Sequence, residues 1–486
     1  MTRLNRRSFL RGTSATVLTL PLSRLLPGQS WRPLGELRIA CVGMNSRGTD
    51  HIEHLRKLEG VRVVALVDVD AEVVAREAKK FTDRGEKVDT CADVRRVLDR
   101  KDIDAISIAT PNHWHSLMAI WACQSGKDVY VEKPVSHNVW EGGQLVAAAR
   151  KYGRIVQAGT QSRSCHGIAE AIAWLQSGQL GRIRLARGLC YKPRQSIGKV
   201  DGPQPVPETI DYDLWCGPAP NVPLHREHLH YDWHWDYATG NGDVGNQGIH
   251  QMDLARWALG ESSLPRRTLS IGARLGYDDD GNTPNTQVVY HDYERAPLLF
   301  EVRGLPRDSA AQQGKWGKGM DSYRGASIGV IVHCEGGFLR IPDYYGAVAF
   351  DNEGNEVRSF AGHTNHYANF VAAVRSRKVE DLHAPIREGH VSSALCHLGN
   401  VSHQLGKERS KADIAAAVAS NEHTAEACAR MFAHLEANGV DLDKTQLRLG
   451  PWLDVDAANE RFVGNEAANG LLTRAYRTGF TVPADV

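Results

Sequence analysis

Apolar positions fall into two regimes along the chain. From residue 36 to about 160, short apolar runs at 37–42, 61–67, 105–109, 129–131 and 155–157 alternate with stretches of helical period, as at 71–81. Strands alternating with helices of about 10–15 residues predict right-handed βαβ units and a parallel sheet. Beyond 160 the runs lengthen and become amphipathic, at 182–190, 268–275, 287–290, 298–302 and 330–334, with helices between them at 251–259 and 367–376. That pattern predicts an α+β domain with a large mixed, mainly antiparallel sheet and helices on one face. A helical tail over 412–438 precedes a turn-rich end, and no repeat of 20–50 residues is visible. The organisation read from the pattern is 1–30, 36–160, 161–410 and a C-terminal extension over 411–486.

Composition narrows the function. Lys and Arg number 58 against 57 Asp and Glu, a net charge of +1, so the basic face of a nucleic-acid binder is not expected. Hydrophobic residues make up 42% of the 486, enough to bury a core. Nine cysteines, an odd number with no CxxC pair, argue against a disulfide framework and a zinc ribbon. The first thirty residues open Asn5-Arg6-Arg7-Ser8-Phe9-Leu10-Arg11, followed by an uncharged stretch over 12–22. That stretch falls short of the ~20 residues of a membrane span. It has the build of a secretory signal, and the adjacent arginines resemble the twin-arginine export motif, whose pathway carries folded proteins. A periplasmic or exported protein, folded before export, is the expectation; it would tolerate nine unpaired thiols.

Candidate chemistry begins at Gly43-Met44-Asn45-Ser46-Arg47-Gly48, set between a strand and a helix. This is the context of a dinucleotide fingerprint: backbone N–H groups at the helix N-terminus meet the pyrophosphate, and glycines permit close approach. Asn45 replaces the middle glycine and is expected to keep the turn by tolerating left-handed φ. Asp68, 20 residues after Gly48, ends the second strand. A carboxylate there binds ribose hydroxyls and repels a 2′-phosphate, favouring NAD over NADP, with Arg47 placed to offset that preference. Two further segments, Thr110-Pro111-Asn112-His113-Trp114-His115 and Glu132-Lys133-Pro134, follow strands at their C-terminal ends, where open α/β sheets bind ligands.

Together these segments closely resemble the Gfo/Idh/MocA oxidoreductase family, named for glucose–fructose oxidoreductase, inositol dehydrogenase and a rhizopine-catabolism protein. The resemblance runs over about 36–410, and the export signal and long C-terminal region are similar to a secreted branch of it. It implies an α/β Rossmann dinucleotide-binding domain over 36–160 and a substrate and oligomerisation domain over 161–410. Lys133 is then the lysine near the nicotinamide that moves the substrate hydroxyl proton, its pKa lowered by desolvation and a cationic neighbour. Glu132 and Asn112 are expected on the ribose or amide of the nicotinamide side, with Thr110, Pro111 and His115 beside them and His113 facing the same cleft. Where relatives carry Asp-x-x-x-His, this chain has Asn246 and His250. An amide cannot act as a base, so proton handling is expected of Lys133 and His250, with Asp253 one turn on to orient the imidazole or cap the helix.

The segment from His225 to Tyr237 interleaves histidines with Trp233 and Trp235. Aromatic faces stack on sugar rings, and a carbohydrate site is expected there, with no metal centre. Gln161, Arg163, Tyr191 and Lys192 are expected to line the cleft between the domains, with His363, His366 and Asn369 added. The first reading is hydride transfer between NAD(P) and a secondary hydroxyl or ketone of a sugar, glycoside or cyclic polyol. The second is a glycosidase that uses a retained NAD through oxidation, elimination, hydration and reduction. The third is a non-catalytic sugar- or NAD-binding protein. Expected partners are a small carbohydrate, a tightly bound NAD and further copies of the chain, in a homodimer or homotetramer formed through the open face of the second sheet.

Overall fold

In the computed structural model, which describes residues 35–486, the first apolar run forms strand β1 (Leu37–Val42). The export-signal reading lies outside the described residues. Next come β2 (Val61–Val67), β3 (Asp89–Cys91), β4 (Ala105–Ile108), β5 (Asp128–Val131) and β6 (Val156–Ala158). All pair in parallel, in the order β3-β2-β1-β4-β5-β6. Side chains alternate between the two faces with the period of a strand. Leu37, Ile39 and Cys41 pack with Ile52 and Leu55 of the helix Arg47–Leu55 and with Phe81 of Ala71–Thr82. Ala40 and Val42 pack with Leu117 and Ile120 of Asn112–Gln124 and Leu145 of Val139–Lys151. Strand order reverses between β1 and β4, which opens a crevice at their C-terminal ends.

The second sheet has 12 strands. They are β7 (Ile183–Tyr191), β8 (Arg267–Ala273), β9 (Thr286–Asp292), β10 (Leu298–Arg303), β11 (Ile328–Cys334), β12 (Gly337–Ile341), β13 (Gly346–Phe350), β14 (Glu356–Ala361), β15 (Lys407–Arg409), β16 (Leu447–Leu449), β17 (Leu453–Asp456) and β18 (Arg461–Phe462). The main path runs β14-β13-β12-β11-β7-β10-β9-β8-β16-β15. Pairing is antiparallel except between β7 and β10. One face, through Ala186, Cys190, Phe300 and Val332, packs on the helices His166–Gln176, Gly248–Leu259 and Ile386–Gln404. The last of these is buried nearly all round, so it lacks the polar stripe that betrays a surface helix.

The opposite face is not open at its centre. Leu269, Ile271, Val288, Tyr290 and Leu299 pack against Ile414, Met431, Phe432 and Leu435 from the helices Lys411–Val418 and Glu422–Ala437. The C-terminal extension therefore covers the sheet and, through β16 and β17 on β8, widens it. The expected helical tail is a helix pair followed by strands.

Two distant segments return to the first domain. Tyr367, Phe370, Val371 and Val374 of the helix His366–Ser376 belong to the same core cluster as Leu37 and Phe81. Phe480 meets the edge of Trp114, ring centroids 5.5 Å apart. All nine cysteines are free, eight of them buried. Among the described residues, no helix is long and apolar enough to cross a membrane.

Candidate active site

The phosphate loop turns at Gly43, whose φ is +78°. A Cβ there would lie 2.8 Å from the carbonyl carbon of Ala109, and one on Gly48 would lie 1.7 Å from the Gly43 oxygen. Both glycines are needed for β1 to fold under the helix that follows. The left-handed residue is thus Gly43, and Asn45 has no positive φ, contrary to expectation. The Asn45 side chain instead accepts from Arg76 at 3.3 Å. Ser46 occupies the N-cap position without a side-chain hydrogen bond.

At the end of β2, Asp68 accepts from the Met44 N–H at 2.8 Å and the Asp70 N–H at 3.1 Å. Burial raises its pKa against those two bonds. Arg47 does not face this carboxylate. Its Nε donates to Glu132 Oε1 (3.0 Å) and its Nη1 to Asp50 (3.1 Å), so it is not the group that offsets the Asp68 preference for NAD. The cation on the adenosine side is Arg76, which also donates to the Met44 carbonyl at 3.4 Å; sequence reasoning passed it over because it stands on a helix, outside the loop.

Glu132 is buried and heavily bonded. Besides Arg47, its Oε1 faces His51 Nε2 at 3.1 Å and accepts from Gln161 Nε2 at 3.0 Å, while its Oε2 accepts from the Lys133 N–H at 3.2 Å. Burial alone would raise its pKa; the His51 hydrogen bond and the Arg47 charge hold it well below the usual range. Gln161 therefore fixes Glu132 from behind and also donates to the Tyr130 hydroxyl at 3.2 Å. His51 and Tyr130 were not foreseen; one stands within the helix Arg47–Leu55 and the other within β5, and no motif singles them out.

Lys133 reaches across to the second domain, where its Nζ donates to the Asn246 carbonyl at 3.0 Å. Burial lowers its pKa and, despite Glu132, so do the charges of Arg47, Lys192 and Arg194. His250 is buried close to this ammonium; burial and the Lys133 charge push it down to about 3, so its imidazole is neutral. Its Nδ1 has no hydrogen-bond partner, and its ring meets Tyr344 edge-on at 5.2 Å. Asp253 does not orient it. That carboxylate takes three hydrogen bonds from Arg163 at 2.8–3.0 Å and one from Ser392 at 2.7 Å.

The crevice at the strand ends is a cleft of about 490 Å³. Gly43 to Arg47, Asp68, Thr110, Pro111, Asn112, His115, Glu132 and Lys133 line it from the first domain, and Asn246 from the second. Its cover comes from Trp215, His230, Tyr231, Trp233 and His234, a segment docked on the rim. Ala71 N–H donates to the Thr209 carbonyl (2.9 Å), Asp211 N–H to that of Val69 (3.0 Å), and His230 pairs with Asp70 at 2.9 Å.

Several expected lining residues stand elsewhere, Gln161 and Lys192 among them. Tyr191 points to the opposite face of β7, where its hydroxyl donates to Glu301 at 2.8 Å. Arg163 is an ion-pair anchor for Asp253 and Glu388. Trp235 is buried beneath the Arg194 guanidinium, 4.9 Å from its ring, and props that residue. His113 is buried between the carbonyls of Trp215 (2.9 Å) and Thr239 (3.3 Å). His115 lines the cleft with both ring nitrogens engaged, at 2.6 Å from the Pro134 carbonyl and 2.7 Å from that of Thr110. Asn112 donates to Asn241 at 2.9 Å. His366 is buried against Ser164 and the Ala158 carbonyl, and Asn369 donates to the Asp381 carbonyl.

The cleft fits a dinucleotide. It offers a glycine turn that a Cβ would fill, a carboxylate at the end of β2 and, at Thr110 Oγ1, a buried hydroxyl with no partner. The loop from Gly43 to Gly48 would hold the pyrophosphate, Asp68 a ribose, and Thr110 with Asn112 the nicotinamide side.

Fold and cleft define a two-domain protein of the dinucleotide-binding class. Residues 37–160 match the oxidoreductase family's NAD-binding Rossmann fold, and residues 182–326 its C-terminal alpha/beta domain. The chain belongs to the Gfo/Idh/MocA oxidoreductase family. It is 32% identical over 171 residues to a glycosyl hydrolase family 109 protein of Shewanella pealeana, covering 31% of this chain and 38% of that one. It is 26% identical over 247 residues to levoglucosan dehydrogenase of Pseudarthrobacter phenanthrenivorans, covering 48% of this chain and 55% of that one. The matched stretches thus span 38% and 55% of these curated relatives. Among solved structures, the fold is similar to aldose-aldose oxidoreductase from Caulobacter crescentus complexed with glycerol (TM-score 0.55, 17% identity, covering 75% of this chain and 97% of that one). It is also similar to the WlbA dehydrogenase from Bordetella pertussis in complex with NADH and UDP-GlcNAcA (TM-score 0.53, 18% identity, covering 74% and 94%).

Proposed function

We propose that the protein is an NAD-dependent oxidoreductase acting on a secondary hydroxyl or ketone of a sugar, glycoside or cyclic polyol. The observation that carries this is the Lys133 ammonium, held between the cofactor-side strand ends and Asn246 beside the neutral His250. When bound, the nicotinamide supplies the hydride acceptor or donor. Lys133 takes or returns the hydroxyl proton, since its lowered pKa brings the neutral amine within reach. The unpartnered Nδ1 of His250 offers a second hydrogen bond to the same substrate region. Glu132, kept ionised, exchanges no proton and positions Lys133 through the backbone. Trp233 and Trp215 present aromatic surface for a sugar ring.

The docked cover favours a retained dinucleotide, and retention supports a second reading. A glycosidase that oxidises a ring carbon, eliminates the aglycone, adds water and reduces again needs no external redox partner. The names of the relatives, a glycosyl hydrolase and a sugar dehydrogenase, support both schemes. The protein should carry about one dinucleotide through gel filtration, assayed after denaturation. Aryl glycosides and free sugars, each with and without added NAD, then separate the two: aglycone release without net NADH supports the glycosidase, NADH accumulation the dehydrogenase. Lys133→Met should lower kcat at least about 100-fold in either case; persistent turnover sinks the assignment. For the segment outside the described residues we propose twin-arginine export, and Arg6→Lys with Arg7→Lys should leave the protein in the cytoplasm.

A further inference from the structure

The cations around the cleft pair with carboxylates, with two exceptions. Arg47 is matched by Glu132 at 3.0 Å, and Arg194 by both oxygens of Asp243 at 2.6 Å. Lys133 and Lys192 have no carboxylate within 4.0 Å among the described residues. Each is held by a neutral acceptor: the Asn246 carbonyl takes Lys133 (3.0 Å), and the Gln247 side-chain oxygen takes Lys192 (2.9 Å). Those acceptors are consecutive residues just ahead of the helix Gly248–Leu259, so the two ammonium groups converge on one place. The Gln247 amide donates onward to the Tyr344 hydroxyl at 2.7 Å, and Tyr344 packs on His250. Lys192 itself stands just behind the cleft wall, on the second-domain side that Asn246 lines, where its charge reaches Lys133 and the cleft-lining His234. His234, in the cleft lining, feels burial and both lysine charges and is driven down to about 3.

Two partly desolvated cations side by side repel, and an anion between them relieves the repulsion. A neutral sugar would leave Lys192 uncompensated. We infer that the substrate is a sugar acid, a uronate or aldonate, whose carboxylate binds Lys192 beside the carbon served by Lys133. The sugar part of this inference rests on the proposed function; the acid part rests on the unmatched charges.

The test is equilibrium binding to the protein as purified, with its dinucleotide, read by tryptophan fluorescence because Trp215 and Trp233 line the cleft. Glucuronate and galacturonate are titrated against glucose and galactose, with glucose 6-phosphate as the phosphate control. A charge-assisted contact should make at least one uronate bind about tenfold tighter than its neutral sugar. Lys192→Gln should bring that ratio near one, and Lys192→Arg should keep most of it, both with unchanged dinucleotide content. Neutral sugars binding as well as the uronates, no uronate binding, or discrimination that survives in Lys192→Gln overturns the inference. Phosphate binding tighter than carboxylate overturns it as well. Should Lys192→Gln fail to fold, Lys192→Arg decides alone: loss of discrimination in a folded, dinucleotide-loaded variant of unchanged charge overturns the inference. Absorbance at 340 nm is followed separately. Discrimination without turnover would sink the oxidoreductase reading alone, whereas turnover of neutral sugars without discrimination would sink the acid alone.

Discussion

Glu132 and Lys133 are neighbours in sequence with opposite duties. The carboxyl is fully hydrogen-bonded and its pKa is depressed, so whatever stability it adds is complete above the ordinary carboxylate pKa and fades as pH falls through the lower folded value. It remains ionised throughout the working range. The ammonium is shifted the other way, towards neutrality. Oxidative turnover that needs the neutral amine should therefore rise with pH, with a midpoint below that of a free lysine. Replacing Lys192 by Gln removes one neighbouring cation and should move that midpoint upward in the pH profile of kcat; an unmoved midpoint would show that the two lysines are not coupled. The glycine turn, Asp68 and Lys133 were legible because each follows the end of a strand, whereas Asn246, in a short helix, was singled out only by the family resemblance. Tyr191 and Lys192 show the limit: neighbours at the end of β7, they part company, the tyrosine hydroxyl going to Glu301 and the lysine ammonium to Gln247. Arg163 with Asp253, 90 positions apart, is a pairing that no local pattern announces.

At the scale of elements, the βαβ alternation was readable since each strand is a short apolar run between amphipathic helices. The helix Ile386–Gln404 was not, because a segment enclosed on every side has no reason to alternate. Its Gly389 and Gly399 show what it needs instead: a Cβ on either would come within 3 Å of Ala158 or Val289, so close packing selects small residues. The helical tail over 412–438 was legible, but the strands in the turn-rich end after it were not, because β16 and β17 are three and four residues long, below what periodicity can detect. Its helix pair has a checkable energetic role. Phe432 is 4% exposed and seals β8 to β10, so Phe432→Ala should cost about 3 kcal/mol in urea unfolding. The same variant should keep its dinucleotide, since the cleft lies in the other sheet. Loss of both together would mean that the two sheets unfold as one unit.

For the molecule as a whole, the expected boundary near 160 bounds a sheet, β1 to β6, but not a self-sufficient core. The face of that sheet bearing Leu37, Ile39 and Leu66 is completed by Tyr367, Phe370, Val371 and Val374, each at most 4% exposed. These residues follow the boundary by some two hundred positions, and sequence reading placed their helix in the second domain because it follows that domain's strands. The other face is completed by Phe480 and Val482 against Trp114 and its neighbours. At about 2 kcal/mol per buried side chain, six such residues contribute on the order of 12 kcal/mol, as much as the whole net stability of a typical domain, about 5–15 kcal/mol. A fragment covering residues 35–165 should therefore lack a cooperative urea transition, whereas the chain from residue 35 to 486 should show one. Truncation after residue 476, which removes only Phe480 and Val482 from this set, should fall between them: folded, less stable by about 3–5 kcal/mol, and with weakened dinucleotide retention because Trp114 lines the cleft. A fragment of 35–165 that unfolds cooperatively would show that the cofactor domain folds without its distant segments. It would also remove the link between completing the fold and closing the cleft that retention of the dinucleotide requires.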